Sequence, residues 1–120
     1  MSRDNAYLRD VLDSARAIGR YLEGISRDQF EANSEKQDAI VRRFEIMGEA
    51  ARHLSPEARQ ALPEIPWRLV TGMRNILIHD YDDVDIGTLW DTAQADLPSL
   101  VVRLETYLSQ HPPPESGASA

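Results

Sequence analysis

Apolar residues recur at helical spacing through most of this chain, and no segment alternates strictly between apolar and polar. A half-buried strand needs a period of two and a helix a period of 3.6, so the pattern points away from a sheet and towards packed helices. The first such segment runs from about Asp4 to Glu23, with Ala6, Leu8, Val11, Leu12, Ala15, Ile18, Tyr21 and Leu22 in one broad stripe. Gly24 predicts its stop, because glycine accepts the left-handed conformation that closes many helices. Ser26 predicts an N-cap for a short turn through Phe30.

A second long helix is expected to begin after Asn33-Ser34 and to run to His53 or Leu54, striped by Ala39, Ile40, Phe44, Met47, Ala50, Ala51 and Leu54. Ser55-Pro56-Glu57 reads as a restart, with serine capping and proline pre-set for the first helical position, and Glu57 to Leu62 as a short helix. Pro63-Glu64-Ile65-Pro66 must be extended or turned, since a residue before proline avoids the helical region. From Pro66 or Trp67 a further helix carries Leu69, Val70, Met73, Ile76 and Leu77. The last is expected over about Asp85 to Leu108, striped by Leu89, Trp90, Ala93, Leu97, Leu100, Val101, Leu104 and Leu108, with Pro98 bending it or breaking its hydrogen-bond ladder. Trp67 and Trp90 belong in the core of such a bundle.

The expected fold class is all-α, one helical domain over residues 1–110 with a disordered tail over residues 111–120, where proline, serine and glycine replace apolar residues. A chain of 120 residues suits a single core. The balance of 42% hydrophobic and 28% charged residues is globular. The absence of cysteine excludes disulfides, thiolate metal sites and cysteine nucleophiles. No apolar run approaches the ~20 residues of a membrane span, and Met1-Ser2-Arg3-Asp4-Asn5 opens no signal peptide, so a cytoplasmic location with no membrane partner is expected. The formal net charge of -7 disfavours nucleic-acid binding by the surface as a whole and leaves room only for a local cluster of Arg and His.

That cluster occurs once, in Arg74-Asn75-Ile76-Leu77-Ile78-His79-Asp80-Tyr81. Histidine titrates near neutral pH and can give and take protons, while arginine stays charged and fits phosphate oxygens in two-point fashion. Together they suit RNA cleavage without a metal or other cofactor. His79 would move the proton of the 2′-hydroxyl or of the leaving oxygen, Arg74 would stabilise the charged phosphorane, and Asn75 would orient the phosphate or His79. On an ideal helix Arg74 and His79 stand about 140° apart, Asn75 and His79 about 40°, and Tyr81 about 20° from Arg74. Convergence then needs either unwinding at His79 or two copies of the helix meeting across a dimer axis. The residues alone leave a structural reading open as well, with arginine pairing a carboxylate, histidine satisfying helix-end carbonyls and Tyr81 packing. His53 and His111 read as solvated, and Asp80, Asp82, Asp83 and Asp85 as a solvated acidic turn without the glycine and glutamate of a calcium loop.

Arg74, His79 and Tyr81, spaced as Arg, four residues, His, one residue, Tyr, with Asn75 after the arginine, resemble the signature of the HepT-like branch of the HEPN superfamily. Ile46-Met47-Gly48-Glu49-Ala50-Ala51, Pro63-Glu64-Ile65-Pro66-Trp67-Arg68, Asp91 and Asp96-Leu97-Pro98 are similar to further blocks of that family, so the likeness covers about Asp4 to Leu108. The resemblance implies an up-down helical bundle with short extra helices that forms a homodimer, and the toxin of a type VII-like toxin–antitoxin pair. Its activity would be that of a metal-independent endoribonuclease acting on an RNA substrate, with Arg74 and His79 catalytic and Asn75 supporting. Its partner would be a minimal nucleotidyltransferase antitoxin (MntA-like) that transfers AMP from ATP onto Tyr81. The added phosphodiester would take the place of substrate phosphate beside Arg74 and block RNA by bulk and charge. Glu49 is left between packing and a bond to Arg74, and the acidic rim from Asp80 to Asp85 strains an RNA-binding edge. The alternative is a non-catalytic helical interaction module that binds the nucleotidyltransferase or a nucleotide.

Overall fold

The computed structural model describes residues 3–72 and 85–111, and all its regular elements there are helical. They are α1 (Asp4–Leu22), α2 (Arg27–Glu31), α3 (Ser34–Arg52), α4 (Pro56–Ala61), α5 (described over 67–72), α6 (Ile86–Ala95) and α7 (Leu97–Gln110). The expected all-α class is what the described residues form, and their punctuation follows the local rules. Gly24 takes φ 76 just beyond the end of α1. Ser26 closes a full capping box with Gln29, Asn33 caps α3 by accepting from the Lys36 N–H, and Ser55 caps α4 by accepting from the Ala58 N–H.

Two antiparallel contacts organise the bundle, with α1 at its centre. The start of α1 meets the end of α3, where the Ser55 hydroxyl and N–H donate to the Asp4 carboxylate at 2.6 and 2.9 Å. The start of α1 also meets the end of α7, where Asn5 Nδ2 donates to the His111 carbonyl at 2.8 Å, and Arg16 holds Glu105 further along at 2.6 Å. Between these seams Leu8, Val11, Ile18, Ile40 and Leu104 are fully buried. Each such side chain contributes about 1.5–3 kcal/mol of transfer free energy, so the three-helix core of α1, α3 and α7 dominates the fold. The short helices α2 and α6 meet at a corner of this core, where Phe30 and Trp90 lie 5.7 Å apart.

Three expectations change. The single last helix is two, parted at Asp96, which closes α6 with its N–H on the Thr92 carbonyl and serves as N-cap of α7. Pro98 then falls in the first turn of α7, where its missing N–H costs no helical bond and its ring meets no preceding turn. Trp67 is buried as expected, but Trp90 is half-buried, packed against the core from its rim. Ala6 is exposed although it fits the stripe of α1, while Ser14 and Ala17, outside that stripe, are buried. With neighbours on two sides, α1 buries a wider arc than one stripe, and only small residues fit where the helices approach closely. The expected tail lies outside the described residues apart from His111.

Candidate functional site

The chain reaches the Arg-His-Tyr motif from α5 and leaves it into α6, and each junction is built by identifiable chemistry. On the approach, Trp67 is the anchor. Its indole is buried and its Nε1–H donates to the Leu62 carbonyl at 3.1 Å, which satisfies the one polar atom the ring carries inside. The Val70 N–H already donates to the Pro66 carbonyl at 3.1 Å, and the Thr71 hydroxyl to the Trp67 carbonyl at 3.0 Å, so the helix is regular from its first turn. Leu69, expected on the apolar stripe, is 50% exposed and faces outward.

On the return, Asp85 is an N-cap. Its carboxylate accepts from the N–H groups of Gly87 at 2.9 Å and Thr88 at 3.4 Å. The bond with the Thr88 side chain, followed by those two backbone N–H groups, holds this carboxyl below its ordinary range. The acidic turn expected from Asp80 to Asp85 therefore ends in a residue with a structural task. Beside it Arg27, on α2, pairs with Glu31 at 2.8 Å and with Asp91 of α6 at 3.0 Å. The bond to Glu31, then the charge of Asp91, raises the guanidinium above its ordinary pKa. A Cβ on Gly87 would stand 2.5 Å from Arg27 Nη2, so the bare glycine backbone is what lets the guanidinium lie over the start of α6. Arg27 was not singled out from the sequence. Its spacing of four to Glu31 was a usable signal, but Asp91 is 64 residues away.

Arg74, Asn75, His79 and Tyr81, with Asp80, Asp82 and Asp83, lie outside the described residues. The other candidates are placed. Glu49 on α3 pairs with Arg52 at 2.5 Å and lies 3.4 Å from His53 Nε2. His53, expected to be merely solvated, stacks on Tyr7 with ring centroids 5.2 Å apart. His111 stacks on Tyr107 at 4.1 Å and its Nδ1 bonds the Tyr107 carbonyl. Among the described residues no three His, Asp or Glu side chains gather as a metal site requires, and no helix is long and apolar enough to cross a membrane.

Comparison with known proteins extends the picture across the motif. The family model described as ribonuclease HepT-like matches residues 11–107, a span that includes Arg74 to Tyr81. A candidate RNase of Methanocaldococcus jannaschii is 35% identical over 100 residues, covering 83% of this chain and 92% of its own. A ribonuclease HepT candidate of Thermococcus cleftensis is 36% identical over 99 residues, 82% of this chain and 90% of its own. A candidate RNase of Caldanaerobacter subterraneus is 31% identical over 110 residues, 92% of this chain and 98% of its own. No solved structure matches the chain. With the family model matched over most of its length and relatives aligned nearly end to end, the chain belongs to the HepT-like ribonuclease family.

Proposed function

We propose that the protein is the ribonuclease toxin of a type VII-like toxin–antitoxin pair, cutting RNA without a metal as a cytoplasmic homodimer. The observation that carries this reading is the family match over residues 11–107, within which Arg74, Asn75, His79 and Tyr81 stand at the spacing of the signature they resemble. In the proposed reaction His79 accepts the proton of the 2′-hydroxyl as its oxygen attacks the adjacent phosphorus, and the 5′-oxygen leaves with a proton. Arg74 stabilises the charge that grows on the phosphorane oxygens, and Asn75 orients the phosphate or the imidazole. A homodimer supplies two copies of His79, one to serve as base and the other as acid.

Regulation follows from Tyr81, two residues beyond His79. In the proposed modification its hydroxyl oxygen attacks the α-phosphorus of ATP on a partner nucleotidyltransferase, pyrophosphate leaves, and the attached AMP places a negative phosphodiester beside Arg74. Growth after induction of the chain alone is the direct test, beside Arg74→Ala, His79→Ala and Tyr81→Phe. Arrest by the wild type that disappears in the first two variants, with Tyr81→Phe escaping rescue by the transferase, is the expected outcome. The acidic balance of -7 suits a basic partner protein, and the second reading is a non-catalytic module that binds the transferase or a nucleotide. Under it the wild type does not arrest growth, and His79→Ala alters nothing beyond local stability.

A further inference from the structure

A cleft of about 370 Å³ lies between the first turns of α1 and the second half of α3. Along α3 its wall is a single stripe, Arg42, Glu45 and Ile46, Glu49 and His53, at the three- and four-residue steps that place side chains on one helical face. From Arg42 to His53 the stripe spans ~16 Å of helix axis. Tyr7 and Asp10 of α1 form the opposite wall. Tyr7 and His53 are stacked, with ring planes 20° apart, and the Arg3 guanidinium stands 5.7 Å from the Tyr7 ring. Glu49 is held by Arg52 and His53, but Arg42 makes no ion pair or hydrogen bond among the described residues and is exposed. Apart from Glu49, left between packing and a bond to Arg74, the catalytic reading uses none of these side chains.

Aromatic rings, a guanidinium unengaged by a carboxylate, and acceptor carboxylates within one cleft are three elements by which proteins hold a splayed-out nucleotide. We propose that this cleft binds one nucleotide of single-stranded RNA. Its base stacks beside the Tyr7–His53 pair, its phosphate is taken by Arg42, and its edge is read by the carboxylate of Glu45. A carboxylate accepts two parallel N–H groups at once, and guanine presents such a pair in N1–H and the 2-amino group. Uracil offers a single N–H, so guanine is preferred. The choice of RNA as ligand rests on the ribonuclease reading above, and the cleft would give that reaction a base preference.

Fluorescence anisotropy of the full chain with 2′-O-methyl heptamers tests this, since these cannot be cut whichever residue is catalytic. One heptamer is all uridine, and the other carries a central guanosine. The guanosine heptamer is expected to bind at least fivefold more tightly, with Glu45→Gln erasing that difference. Arg42→Ala, at an exposed position, should weaken both heptamers about fivefold and reduce the salt dependence by about one phosphate contact. Tyr7→Ala should weaken both about tenfold, while Tyr7→Phe retains binding. Failure of the wild type to bind either heptamer, or equal binding by wild type and Arg42→Ala, overturns the proposal. Cleavage of ordinary RNA is scored separately. Cleavage with no dependence of binding on Tyr7 and Arg42 removes the cleft and keeps the ribonuclease, whereas dependence without cleavage does the reverse.

Discussion

The three-helix core of α1, α3 and α7 and the α2–α6 corner are held together by different physics. In the core, Leu8, Ile18, Ile40 and Leu104 are shut off from water, and polar pairs such as Arg16 with Glu105 lie only at the rim. At the corner Phe30 is fully buried and Leu89 nearly so, with Trp90 packed from the rim, and a larger share of the links is polar: a capping box, the Asp85 cap and the exposed pairs of Arg27. Apolar burial scales with area and tolerates little rearrangement, whereas exposed ion pairs contribute little and are screened by salt. The described chain resumes at the corner, where Asp85 caps α6, whereas on the other side α5 is anchored in the core by Trp67. Sub-global opening is expected to begin at the corner, as it does where local burial is sparse.

The largest break in this contrast should come from the three-helix core. Leu104→Ala removes a fully buried side chain between α7 and α1 and should cost about 2–5 kcal/mol, read as a lowered urea midpoint at unchanged slope. A loss no greater than that of an exposed substitution would show that this core does not dominate. Next in size is Ser55→Ala, where the cap and the hydroxyl's bond to Asp4 vanish together while the backbone bond to Asp4 remains, with about 0.5–2 kcal/mol expected in the same titration. The smallest effect belongs to the corner and is set by pH. Because its folded pKa is depressed, the Asp85 carboxylate contributes stability above its unfolded value, about 3.9, and loses it as pH falls through the lower folded value. Amide exchange at Gly87 and Thr88 should therefore accelerate relative to Leu8 and Ile18 as pH falls below about 4. Uniform acceleration across both regions would erase the distinction.

Much of this architecture was legible because its rules are short-ranged. The stop at Gly24 and the caps at Ser26 and Ser55 depend on residues within four positions, and each stands where the sequence predicts it, while the Asn33 cap follows the same short-range rule. The motif stands out in the same way, as reactive residue types gathered in eight positions that fall within the family match but outside the described residues. Less legible was the break before Pro98. Proline bars the helix behind it but does not say whether the chain bends or restarts, and Asp96 settled that by serving both helices. Glu49 stood open between packing and a bond to Arg74, and His53 read as solvated. They gained a setting only when Tyr7, 46 positions before His53, closed on them.

The sequence by itself determined the helical class, most helix ends and the residue types the chain has to offer, because periodicity, capping and side-chain chemistry are properties of near neighbours. Tertiary structure alone decided that Ala6 stays in water while Ser14 and Ala17 do not, that Arg27 finds Asp91, and that α1 and α3 enclose a cleft. Each of these depends on how two helices approach one another. That approach is a balance summed over every buried side chain between them, and no local pattern encodes it.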